Sequence, residues 1–522
     1  MSADVGGPRA RWAPWLWCLL TLLLALRLIH LEADFPPGIT WSGALYTDEG
    51  WYSNAAVHYA LEDTLYVEGE FNPIVVMPVG QLLQVLATGA LGLDLSTVRS
   101  TSVLSYLLVV LFAALLTRRF AGGPAAAWVA LLLATSFVPF AYSRLSLMEL
   151  PMLALVCGAL WLVAPAGPRI RAAPNPRLRT VAAGFVFALA LLTKATALFA
   201  LPLLGYLAWL RGGDDPPGGR PRLRGLMDAA LATAIPALIF GGYNLVASNL
   251  FPRDAAYFRQ LNFDARMTFD PATVVLGAVR AARRTLDLDP ALATAAAALL
   301  GLGLVFGRSL WRRPPVVLAV AWIALQLGQL AFVLYHPPRY FLTLVVPLAL
   351  AAVLGAEACA TSSAATRRAW GPRLPYVVLA AVVAFNGYRV ASYLASPSYS
   401  FTEMAHGVEA LAERDAGVGG AVVLGNFANT LSLETGLRSV NSELGVEALG
   451  RRLDRNPPSH YLTLGQVAEG GGVRGEGGEE DSVAAVLRRR YRLEPVGAWD
   501  VYGNYYDGKR VHLYRLDPLP SP

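Results

Sequence analysis

Repeated apolar runs of about 20 residues are the feature that most limits what this 522-residue chain can become. A helix of that length crosses the hydrocarbon core of a bilayer. Only helices and closed barrels satisfy their backbone there, and these runs are too long for barrel strands. The pattern predicts spans near 12–31, 99–117, 124–142, 149–165, 181–195, 197–211, 226–248, 290–307, 315–334, 340–358 and 375–393. The chain is therefore expected to be an all-α polytopic membrane protein with about 11 transmembrane helices. Composition agrees, with 55% hydrophobic and 15% charged residues. No small-residue cleavage site follows the first run, so it is read as a retained span and not a signal peptide.

One apolar stretch, "PVGQLLQVLATGALGL" from Pro78 to Leu93, is too short to count as a span and carries Gln81 and Gln84. It is read as interfacial or re-entrant. The arginines support leaving it out. One set of loops then holds Arg9, Arg11, Arg118, Arg119, "RIRAAPNPRLR", "RGGDDPPGGRPRLR", "RSLWRR" and "RRAWGPR". The opposite set has no Lys or Arg from Leu31 to Val98, and then Arg144, Lys194 and Arg339 singly. Positive charge marks the cytoplasmic side, so the N-terminus is expected inside a plasma (inner) membrane. The net charge of +6 lies mostly in these short loops and orients helices, so no nucleic-acid partner is expected. The loop Asn249 to Asp289 breaks the rule. It is external in this topology yet carries six arginines, Arg283 and Arg284 among them.

Residues 1–395 form the expected membrane domain, with a first external loop over 32–98. From 396 to 522 the pattern changes. "GAVVLGN", "SHYLTLGQ", "GAWDVYG" and "RVHLYRL" read as short strands, "DSVAAVLRRRYRL" as a helix and "EGGGVRGEGGEED" as a loop. A small α/β domain on the extracytoplasmic face is expected. Cys18, Cys157 and Cys359 all fall in apolar runs, with no disulfide or zinc spacing.

Charged residues at the ends of apolar runs gather on that same face. Asp48 and Glu49 open a helical stretch, "YTDEGWY", which also contains Tyr52. Thr47 is placed to cap that helix, which is expected to lie along the membrane surface. Glu149 follows Ser146 at capping-box spacing. Lys194 sits in "LLTKAT", and Arg339 and Tyr340 in "YHPPRYF". Each has a bland role available: helix capping for the acids, snorkelling or headgroup contact for the cations. His58 and His336 are read as structural. Ionisable groups at membrane depth are costly, and several on one face point to one site. Carboxylates there can act as a general base or hold a metal, and cations can hold a phosphate.

This ordered set resembles the GT-C glycosyltransferases, most closely the bacterial protein O-mannosyltransferase-like and aminoarabinose-transferase-like enzymes. The acidic pair after a first span, a second juxtamembrane stretch from Pro78, an acid in the next external loop, a "TK" turn and an "RY" followed by Pro347 carry the resemblance. It implies an inverting transfer from a polyprenyl-phosphate sugar to an extracytoplasmic glycan, lipid or protein acceptor. Asp48 would be the base, with Glu49 and Glu149 beside it. Tyr52, Lys194, Arg283, Arg284, Arg339 and Tyr340 would contact substrate. No cofactor is required, and Asp48 with Glu149 leaves room for a divalent cation. The competing classes are a transporter or flippase of lipid-linked glycans, and a polysaccharide polymerase. Gathering of charge on one face, without internal repeats, favours the enzyme.

Overall fold

Prolines and short polar side chains start most of the membrane helices. In the computed structural model, which describes residues 13–37, 39–40, 45–165, 175–212, 221–306, 308–361, 371–415, 420–464, 483–501 and 510–520, Asp94 accepts from Thr97 N, Asn175 from Leu178 N and Asp270 from Thr273 N. Each closes an otherwise unsatisfied first turn. Pro78, Pro176 and Pro271 stand where a missing N–H costs nothing.

The membrane part runs α1 (Ala13–Ala25), α2 (Leu45–Tyr52), α3 (Asn54–Glu62), α4 (Pro78–Leu91), α5 (Leu95–Ala121), α6 (Gly123–Thr135), α7 (Phe137–Tyr142), α8 (Glu149–Val163) and α9 (Pro176–Thr193). After a 3-10 turn come α10 (Leu201–Gly212), α11 (Pro221–Leu250), α12 (Pro252–Arg259), α13 (Pro271–Leu288), α14 (Pro290–Phe306) and α15 (Pro314–Ala331). A second 3-10 turn, Pro338–Leu344, leads into α16 (Val345–Thr361), and α17 (Leu374–Ala395) closes the set. The span over Pro338–Thr361 is 94% buried and forms the centre, whereas that of α11 is 11% buried and faces outward with Leu238, Leu245 and Leu250.

The chain is a multi-pass membrane protein. Among the described residues seven helices are long and apolar enough to cross, or eight if α13 and α14 are one broken span. Each of the eleven expected spans falls on helix. The difference lies in α1, α6, α8 and α14, which have 13, 13, 15 and 17 residues. The expected span 124–142 is broken at Ser136, where the backbone leaves helical geometry and the hydroxyl donates to Asp289 Oδ2 at 2.6 Å. Asn249–Asp289, expected as a loop, is mostly helical. Helix α13 meets α14 at 110°, because Asp289 accepts from Leu292 N and starts a new helix at Pro290.

The C-terminal domain follows as α18 (Ser400–Asp415), β1 (Val422–Gly425), α19 (Ala428–Thr435), β2 (Arg438–Asn441), α20 (Leu449–Arg455), β3 (His460–Leu464), α21 (Val483–Arg488), β4 (Tyr491–Asp500) and β5 (Arg510–Pro518). The sheet order is β2-β1-β3-β5-β4; β1 pairs in parallel with β2 and β3, and β5 runs antiparallel to β3 and β4. Strand β2 was not legible in the sequence. The expected helix from Asp481 ends at Arg488, and Tyr491 onward is strand, since pairing with β5 outweighs local helical preference. "EGGGVRGEGGEED" lies outside the described residues. Asp34 ties the two parts together by accepting from Ser400 N, Ser400 Oγ and Phe401 N at the start of α18.

Candidate active site

Helix α2 is not a surface helix. It is enclosed between the membrane helices and the C-terminal domain. Tyr46 stacks on Phe401 with ring centroids 4.7 Å apart, and Gly50 N donates to Thr430 Oγ1 at 2.9 Å. A Cβ on Gly50 would come within 2.5 Å of Thr430 N, so only glycine permits this approach. The helix already runs from Leu45, so Thr47 lies within it and is not its cap. Gln81 of α4 fixes the far end by donating to Tyr52 O at 2.7 Å and accepting from Ala55 N at 3.0 Å.

Successive residues on a helix point 100° apart, and the acidic pair is divided accordingly. Glu49 accepts from Arg99 Nε at 2.8 Å, Arg99 Nη2 at 2.7 Å and Ser146 N at 2.9 Å. Both members of this pair are fully buried. The capping box expected at Ser146 is absent, because Ser146 Oγ instead meets Ser53 Oγ and Gln84 Nε2, and α8 starts at Glu149 without a side-chain cap.

Asp48 turns the other way, into a cluster of alternating charge. Arg339 Nη1 lies against Asp48 Oδ2, and Arg339 Nε is 3.4 Å from Glu149 Oε1. Lys194 Nζ donates to the same Glu149 oxygen at 2.6 Å and to Tyr52 Oη at 2.8 Å. Tyr52 and Tyr340 flank the ammonium, their ring centroids 4.9 and 5.1 Å away. Asp48, Glu149, Lys194 and Arg339 are all buried. Two local breaks deliver the cations. Lys194 leaves helical geometry at the end of α9, and Arg339 sits in the 3-10 turn ahead of α16. Burial pushes the Asp48 carboxyl up to about 6, with Arg339 opposing and Glu149 adding to the rise. Burial likewise pushes the Tyr52 phenol up to about 12, against the nearby Lys194, so it stays protonated.

The fold also matches known proteins. ArnT from Cupriavidus metallidurans in the apo state superposes with TM-score 0.59 at 13% identity, over 96% of this chain and 97% of that one. The same protein bound to undecaprenyl phosphate gives 0.59 at 14%, with the same coverage. The chain has the GT-C fold. An Archaeoglobus fulgidus oligosaccharyltransferase in complex with Zn and sulfate shares this GT-C architecture with TM-score 0.51 at 12% identity, over 94% of this chain and 74% of that one. The family of dolichyl-phosphate-mannose-protein mannosyltransferases matches residues 73–239. That segment contains Glu149 and Lys194 but neither Asp48 nor Arg339. No curated protein sequence matches the chain significantly.

Within the GT-C frame, Asp48, Tyr52, Glu149, Lys194, Arg339 and Tyr340 come together as one cluster. Glu49 does not join it, because Arg99 holds both its oxygens. Arg283 and Arg284 do not join it either. They lie on α13, where Arg283 is exposed and Arg284 sits 3.7 Å from Asp287. His336 is a turn residue whose Nε2 donates to Leu330 O at 2.7 Å, and His58 bridges Asn54 and Glu62 on α3. Sequence reasoning missed Arg99, the first residue of the expected span 99–117, because the helix in fact begins at Leu95 and carries the arginine inward. As for a metal, Arg339 bridges the two carboxylates and Lys194 holds Glu149 as well, so a divalent cation there would meet like charge. No group of three or more His, Cys, Asp or Glu gathers among the described residues.

Proposed function

We propose that this chain is a membrane glycosyltransferase that moves a sugar from a polyprenyl-phosphate donor to a hydroxyl group of a glycan, lipid or protein acceptor. The observation that carries this reading is the buried set Asp48, Arg339, Glu149 and Lys194 at one end of a GT-C fold. The arginine distribution supports an extracytoplasmic position for the cluster and the C-terminal domain, with the N-terminus in the cytoplasm.

The chemistry is a single inverting displacement. The acceptor oxygen forms a bond to the anomeric carbon as the carbon–oxygen bond to phosphate breaks. Asp48 takes the proton of the attacking hydroxyl. Negative charge develops on the departing phosphate, and Lys194 and Arg339 hold it. Those cations pair with Asp48 and Glu149. An arriving phosphate competes for both, which frees Asp48 to act as base and Glu149 to orient the acceptor. Tyr52 and Tyr340 keep the Lys194 ammonium in place. Glu49 acts at a distance: pinned to Arg99 and to Ser146 N, it fixes the rotation of α2 and so the aim of Asp48.

The test is Asp48→Asn, purified in detergent, shown to be monodisperse and assayed for transfer from a polyprenyl-phosphate sugar. Loss of a general base lowers the rate by on the order of 10²–10⁴-fold. Turnover near that of the unmodified protein would remove Asp48 from the chemistry.

A further inference from the structure

Helix α13 carries three separate stripes. Gly277, Ala281, Thr285 and Leu288 are buried. Gly277 lies against α15 so closely that a Cβ there would come within 2.4 Å of Ala331 O. Val275, Val279 and Leu286, at helical spacing, are instead 63%, 65% and 49% exposed. Arg280, Arg283, Arg284 and Asp287 make a third stripe at i, i+3, i+4 and i+7, with three cations against one anion. An exposed aromatic strip leads into this helix: Phe263 and Phe332 flank Phe269 at 6.2 and 5.9 Å.

A helix with a bare apolar stripe beside a cationic one suits the boundary between acyl chains and headgroups. The geometry fixes which boundary. α13 turns 110° away from α14, which exposes Leu302 and Val305 as a membrane helix does. We propose that α13 lies in the plane of the membrane surface and binds the headgroup phosphate of an anionic lipid through Arg280, Arg283 and Arg284. The apolar stripe enters the acyl region, and the arginines stay at phosphate level. This accounts for an arginine-rich segment on the face where the other loops of the membrane domain carry few cations. The site borders the cluster, because α13 packs against the 3-10 turn Pro338–Leu344 that carries Arg339. Bilayer composition would therefore act beside the reaction centre. The proposal does not depend on the transferase reading.

Two measurements on the full chain test it. In lipid nanodiscs, a fluorophore on Val279→Cys, with Cys18→Ser to remove the exposed native thiol, should be quenched by lipids brominated on their acyl chains. In detergent, native mass spectrometry should find phosphatidylglycerol retained over phosphatidylcholine. The triple change R280Q/R283Q/R284Q should reduce that preference by on the order of tenfold, and the matching triple lysine variant should restore it. An unquenched label, equal retention of the two lipids, or an unchanged preference in the glutamine variant would overturn the proposal. So would displacement by inorganic phosphate without any preference among lipids, which would assign the arginines to a soluble anion.

Discussion

The acidic pair on α2 and the basic run on α13 both sit in segments that the charge pattern puts on one side of the membrane, yet they meet opposite fates. Asp48 and Glu49 are buried, and each faces its own arginine. Arg280 and Arg283 are exposed on a helix that buries only a narrow stripe, Gly277, Ala281, Thr285 and Leu288. What separates them is cover. The C-terminal domain closes over α2, whereas nothing among the described residues closes over the outer side of α13. Charge that is enclosed must be paired and can be tuned. Charge that is left open can only meet what the surroundings supply.

Arg99→Met strikes the enclosed side of that contrast hardest. It leaves Glu49 buried without a partner, and thermal unfolding in detergent should show a loss of about 3–5 kcal/mol. A loss below about 1 kcal/mol would mean that Glu49 reaches water and that α2 is no more enclosed than α13. The pH dependence of transfer sharpens the contrast at Asp48. Its base form predominates only above about 6, so kcat/KM should fall about tenfold per pH unit below that value. An acid limb near the ordinary carboxylate pKa of 3.8 would mark Asp48 as solvated. The same shift makes the native state bind the extra proton between about 4 and 6, so the contribution of Asp48 to stability falls as pH rises through that window. The smallest effect belongs to the open side. Arg283→Gln should change unfolding free energy by no more than about 0.5 kcal/mol in detergent. A loss several times larger would reveal cover on α13 that makes the two regions alike.

Much of this was legible in the sequence, for identifiable reasons. Run lengths located the spans, and the gathering of Asp48, Glu149, Lys194 and Arg339 on one face followed from counting crossings. Four things were not legible. The division between Asp48 and Glu49 depends on helix phase, and no feature of "YTDEGWY" says which acid turns inward. Arg99 stands at the edge of a span, where arginines commonly mark a boundary, so its inward turn was invisible. The helical character of 271–288 was hidden because six arginines between Asn249 and Asp289 dominated the hydropathy, although Val275, Val279 and Leu286 already had the right spacing. Strand β2, four residues long, exists because β1 offers it an edge, which local sequence does not encode.

The contact between Gly50 and Thr430 has a consequence for how such a protein can change over time. The C-terminal domain looks detachable: it follows the last span, and it has its own sheet. Yet its helix α19 rests on the backbone of the segment that carries Asp48, at a spot where even a methyl group does not fit. Exchanging that domain for another of similar outline would remove the surface on which α2 rests and so disturb the aim of Asp48. The two halves are thus joined like a lock and its faceplate, and change at this contact has to proceed residue by residue, not by trading the domain for a different one.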